Sequence, residues 1–95
     1  MTQIISVKDY EKDVNIIERL QREMEGRQSI LACLVDMGCK DSPTFKEYFE
    51  EFLQYKTAFE ISKSNFLKEK IQPMFNDPIK SWELSYDDKE MTINV

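Results

Sequence analysis

The chain has 95 residues, two cysteines, no histidine and a net charge of −5. Such a length makes one domain, residues 1–95, burying about two-thirds of its unfolded surface; stability is marginal and association is a common remedy. Without histidine, Ser-His-Asp and Cys-His catalytic devices and Glu-x-x-His di-iron sites are excluded, and no cluster of Lys and Arg marks a nucleic-acid footprint.

Thr2 to Ser6, with Ile4 and Ile5 adjacent, reads as a stub strand or a hydrophobic lead-in. Ser6 is placed to cap a first helix, with Asp9, Glu11 and Asp13 near its positive end. From there Tyr10, Val14, Ile17, Gln21, Met24, Gln28, Leu31 and Val35 recur at steps of four and three, predicting a helix over 7–37. Glu18 with Arg22 and Glu23 with Arg27 are spaced to pair along it. Gly38 ends it as a left-handed cap. Gly26 interrupts its middle, either as a tolerated glycine or because a second backbone approaches there. Gln21 and Gln28 bracket it on the seam, either reaching solvent at its edge or fixing register.

Asp41 or Ser42 caps a second helix over 43–72, with Pro43 in its first turn and Pro73 ending it. Phe45, Tyr48, Phe52, Tyr55, Phe59, Ser62 and Phe66 form one stripe, widened by Phe49, Leu53 and Leu67. Two helices of matched length and a short link predict an antiparallel αα-hairpin. Each spans about 45 Å at 1.5 Å per residue.

After a turn at Asn76-Asp77-Pro78, the period changes from 3.6 to 2. Trp82, Leu84 and Tyr86 alternate with polar residues, as do Met91, Ile93 and Val95. With Asp87-Asp88-Lys89-Glu90 as the turn, Tyr86 faces Met91, Leu84 faces Ile93 and Trp82 faces Val95, a β-hairpin over 81–95 with one apolar side. A strand of five residues reaches only about 17 Å, too little to cover both helices. A second copy or another protein is therefore expected to cover the rest, most simply as a dimeric four-helix bundle. The hairpin's outer edge is left open for a further strand, and Lys89 and Glu90 blunt it weakly.

Cys33 is expected as a reduced core thiol and Cys39 as a reduced loop thiol. No phosphate-binding glycine loop is present. An all-carboxylate metal site from Glu47, Glu50 or Glu51 with Glu18 or Glu23 competes with a simple solvated acidic face. Met1 to Asp9 lacks the pattern of a secretory signal and no apolar run suits a membrane span, so a cytoplasmic protein is expected.

The expectation is a non-enzymatic interaction or accessory domain, without cofactor, catalytic residues or metal, that binds a protein or peptide and pairs as a homodimer. Its candidate partner-binding residues are Phe49, Phe52, Phe59, Phe66, Trp82, Leu84, Tyr86 and Ile93. A bundle binding a small molecule or metal is the competing class. The tail Ser81-Trp82-Glu83-Leu84-Ser85-Tyr86 and Glu90-Met91-Thr92-Ile93, after two charged helices, resembles small accessory proteins of radical-SAM peptide-modification systems of the CXXX-repeat type. That resemblance implies a non-catalytic helper that binds peptide or enzyme. In size and helical outline the chain also resembles the WXG100 family of secreted helical dimers, which implies a secreted effector. The loop Gly38-Cys39-Lys40-Asp41-Ser42 lacks that family's Trp-x-Gly, and the only tryptophan is Trp82.

Overall fold

A computed structural model describes residues 1–95. The order is β1 (Thr2–Ser6), a 3₁₀ turn, α1 (Glu11–Asp36), α2 (Pro43–Phe66), β2 (Ser81–Ser85) and β3 (Glu90–Asn94). The two long helices form a hairpin, and β2 and β3 follow as an antiparallel hairpin. Contacts divide the chain into two compact units: Met1–Glu18 with Ser62–Val95, and Arg19–Ile61.

The first unit is built on a three-stranded antiparallel sheet in the order β1-β3-β2. The N-terminal stretch is thus a strand, not a lead-in. It closes the edge of β3 that the sequence left open, and the open edges belong to β1 and β2. Gln3 pairs with Ile93 and Ile5 with Met91, while Trp82 and Leu84 face the same two residues from β2. Val7 extends the ladder by donating to the Lys89 carbonyl at 2.8 Å. Val7 is fully buried there, so the chain turns through Lys8–Tyr10 and α1 begins only at Glu11, four residues beyond the predicted start. Ser6, expected to cap the first helix, ends β1 opposite Glu90 instead, and its hydroxyl accepts a long 3.4 Å contact from the Lys8 amide.

The predicted hairpin register is displaced by two residues. Ser85 pairs with Glu90, so the turn is Tyr86–Lys89 and Tyr86 leaves the strand. Because strand side chains alternate with period two, a two-residue shift keeps Trp82, Leu84, Met91 and Ile93 on one face. Met91 and Ile93 have no exposed surface, and with Val7, Val14, Ile17, Phe66 and Ile71 they form this unit's core. Tyr10 meets Phe66 edge-on, with ring centroids 5.8 Å apart.

The end of α2 shows how that core takes Ile71. Five residues separate Phe66 from Ile71, one more than an α-helical turn brings to the same side. The chain widens into a π-helical turn over Leu67–Ile71, with the Gln72 amide bonded to the Leu67 carbonyl, and Ile71 becomes fully buried. A 3₁₀ turn over Gln72–Met74 carries Pro73, so the predicted single helix over 43–72 is three segments. Gln72 then ties down the connector, donating to the Asp77 carbonyl at 3.0 Å and accepting from the Ile79 amide at 3.2 Å.

In the second unit the link between helices is held by two local devices. Gly38 has φ +75, and the Cys39 and Gly38 amides reach back to the Leu34 and Val35 carbonyls at 2.8 and 3.0 Å. This is the Schellman arrangement, and it needs a residue tolerant of the left-handed region. Ser42, not Asp41, caps α2: its hydroxyl accepts from the Phe45 amide at 3.1 Å and donates to the Cys39 carbonyl at 2.7 Å.

Candidate interaction surface

All seven residues of the aromatic stripe, Phe45 to Phe66, are half-buried or buried, while the charged residues between them are mostly exposed. On α1 the inward stripe follows the expected spacing as far as Ile17; beyond it Met24 and Leu31 keep their expected places while the other three positions move one residue toward the N-terminus. The sheltered positions become Leu20, Met24, Arg27, Leu31 and Leu34. A step of three replaces one of four, which rotates the seam around the helix. Val35 is therefore 48% exposed and Gln28 faces solvent, while Gln21 bonds to Glu25 at 2.9 Å. Cys33, expected in the core, is exposed because Leu31 and Leu34 take the inward positions at its level; Cys39 is half-buried in the loop.

The shift brings Arg27 into the seam. Its guanidinium binds Glu23 one turn back and Glu51 on α2 at 3.3 Å, and lies 4.5 Å from the Tyr55 ring centre. Burial works against its charge, but the hydrogen bond and charge of Glu23, Tyr55 and the hydrogen bond of Glu51 outweigh it and hold the pKa above arginine's ordinary value. Glu23 and Glu51, two members of the considered carboxylate site, thus share an internal cation. No group of three or more carboxylates or thiols converges anywhere in the chain.

The residues expected to bind a partner separate into three groups. Phe59, Phe66 and Ile93 are buried at 9%, 4% and 0% exposure, so their surface is spent inside the chain. Phe52, Trp82, Leu84 and Tyr86 are half-buried; Lys63 lies 5.2 Å from the Trp82 ring centre, and Tyr86 sits in the turn. Phe49 is 43% exposed and stacks on Phe45 with centroids 6.1 Å apart and planes 10° from parallel.

Leu53, expected to widen the aromatic stripe, lies instead on the other side of α2, in a feature that the sequence reading missed. Leu53 is 43% exposed and Ile61 54%, and with Gln54, Thr57 and Ala58 they line an open hollow. At about 100° per residue, Leu53, Thr57 and Ile61 lie roughly 130–170° from the middle of the aromatic stripe. The signal was present as uncharged residues at steps of four, but the aromatic stripe dominates the pattern. A separate cleft of about 200 Å³ in the first unit has Asp13, Glu69, Lys70, Ser62 and Asn65 around Ile17 and Phe66. It is smaller than the roughly 300–1,000 Å³ usual for small-molecule pockets.

No helix is long and apolar enough to cross a membrane. In comparisons with protein-family models, curated proteins and solved structures, nothing matches the chain.

Proposed function

We propose that this chain is a non-catalytic protein-interaction domain whose helical-hairpin unit is completed by a protein or peptide partner. One observation carries the reading. Of the nine buried apolar side chains, only Leu31 and Phe59 belong to Arg19–Ile61; the other seven belong to the unit that holds the sheet. Two buried side chains are a thin core for a helix pair, because most helical stability in proteins comes from packing an apolar face. The same unit exposes Phe49, Leu53, Ile61, Ile30, Val35 and Met37, the kind of apolar surface that marks association. The resemblance of the tail to accessory proteins points to the same class, although Tyr86 lies in the turn rather than in the strand that resemblance uses.

Hydrogen exchange on the dilute chain tests the reading. Amides of Arg19–Ile61 are expected to exchange faster than those of the sheet, and to slow when a partner binds. Protection of that unit equal to the sheet's, in a monomer without partner, would refute it.

A further inference from the structure

The aromatic stripe of α2 has one gap, and a cleft opens beside it. Between Phe59 and Phe66 the stripe carries Ser62, its single small member. The cleft of about 200 Å³ is lined there by Ser62 and, from the opening turns of α1, by Asp13, Ile16 and Ile17. An aromatic ring at position 62 would occupy this space. Ile17 and Phe66 are the buried members of the lining, and Ile16 leaves 46% of its surface exposed. The end of α2 supplies Asn65, Glu69 and Lys70. The last two lie within the π-helical turn, a device that recurs at functional sites.

The polar part of this lining is uncommitted. Asp13, Ser62, Asn65, Glu69 and Lys70 make no side-chain hydrogen bond or ion pair within the chain. Two carboxylates and an ammonium thus share one small cleft without meeting. A molecule that carries both charges spans the gap between them, with charge-assisted hydrogen bonds at each end. Size narrows the choice further. A cavity of about 150 Å³ takes the six carbons of benzene, so this cleft takes about eight non-hydrogen atoms. We propose that it binds a free α-amino acid with a short apolar side chain. The ammonium of the ligand goes to Asp13 and Glu69, and its carboxylate to Lys70 and the Asn65 amide group. Its side chain lies against Ile16 beside Phe66. A simple amine leaves Lys70 unmatched, a simple acid leaves both carboxylates unmatched, and a residue inside a peptide carries neither main-chain charge. All the lining residues belong to the sheet-bearing unit, so the proposal stands apart from the interaction reading of Arg19–Ile61.

The test is a nuclear magnetic resonance titration of the isotope-labelled full chain with L-valine, which has the required size and both charges. Isobutylamine and isovaleric acid, which lack its carboxylate and its ammonium, are titrated separately. Amide shifts read both the affinity and the place. The expected result is saturable shifts at 13–17 and 62–70. A ligand this small should bind L-valine's site with a Kd of roughly millimolar. Each analogue should bind about tenfold more weakly or worse, because it leaves a charged group unmatched. Ser62→Phe fills the cleft and should abolish the shifts. Lys70→Met, at an exposed residue, should weaken L-valine about tenfold and leave isobutylamine unchanged. It gives the reading if Ser62→Phe disturbs the fold. Absence of saturable shifts with L-valine overturns the proposal, as do shifts confined to other residues. Equal affinity for L-valine and either analogue also overturns it, and so does binding that survives both variants.

Discussion

Replacing Gly26 by alanine tests the middle of α1 most cleanly. Gly26 is exposed and has helical, negative φ, and a Cβ built on it meets nothing within 4 Å. The new methyl group therefore costs no packing. What remains is intrinsic propensity and the reduced freedom of the unfolded chain, together worth about 1 kcal/mol in favour of alanine. For 95 residues the unfolding entropy near 60 °C is about 0.2 kcal/mol/K, so the melting temperature should rise by about 5 °C. Thermal and urea unfolding followed by circular dichroism at one fixed protein concentration would measure it, with the urea slope unchanged. A fall in stability would refute the reasoning, because it would require a neighbouring backbone against Gly26 that the isolated chain does not contain. The same substitution at Gly38 should have the opposite sign, since φ +75 there strains any L side chain.

Other outcomes follow from single contacts. Ser42→Ala removes the cap on the Phe45 amide and should cost about 1 kcal/mol, with Ser42→Asp largely restoring it in chemical denaturation. Ile93→Ala on the fully buried central strand should cost about 2–5 kcal/mol, enough to unfold much of the sheet by exchange measurements. Lys89→Gly relieves a side chain held at φ 54 and should raise the melting temperature slightly; a decrease would mean that the lysine contributes more than its backbone strain costs. Arg27→Met should lower stability by more at low salt than at high salt, because the lost contacts to Glu23 and Glu51 are partly exposed ion pairs.

The aromatic stripe was legible because six aromatics and Ser62 repeat one spacing, and the structure shelters each of them. The hairpin was legible in its faces but not in its register. Asp87 to Glu90 is the most polar run, yet Glu90 pairs with Ser85, and Tyr86 gives up its strand position to a turn stitched by the Ser85 hydroxyl and Asp88. Pairing of Gln3 with Ile93 joins residues at opposite ends of the sequence, and no local pattern announces so distant a partner. The shift of the α1 seam was hidden because Leu20 and Gln21 are adjacent, and both are half-buried. Phe59, Phe66 and Ile93 show the general difficulty with binding surfaces. An aromatic or β-branched residue looks the same in the sequence whether it closes its own core or awaits another chain. Leu53 looked like a widening of the aromatic stripe, whereas Thr57 and Ile61 drew no notice because they interrupt no pattern.

The position of β3 has a consequence for the order in which the molecule assembles. It is the middle strand of the sheet and the last strand in the sequence, and β1 and β2 bond to it rather than to each other. While the chain emerges from a ribosome, α1, the Gly38 turn and α2 can find one another through short-range contacts. Thr2–Ser6 cannot, for its hydrogen-bonding neighbour has not yet been made. The N-terminal segment must wait, with Ile4 and Ile5 uncovered, until Glu90–Asn94 arrives between it and Ser81–Ser85. A stall or cut before Glu90 would leave two orphan strands, a species far more prone to aggregate than the finished fold.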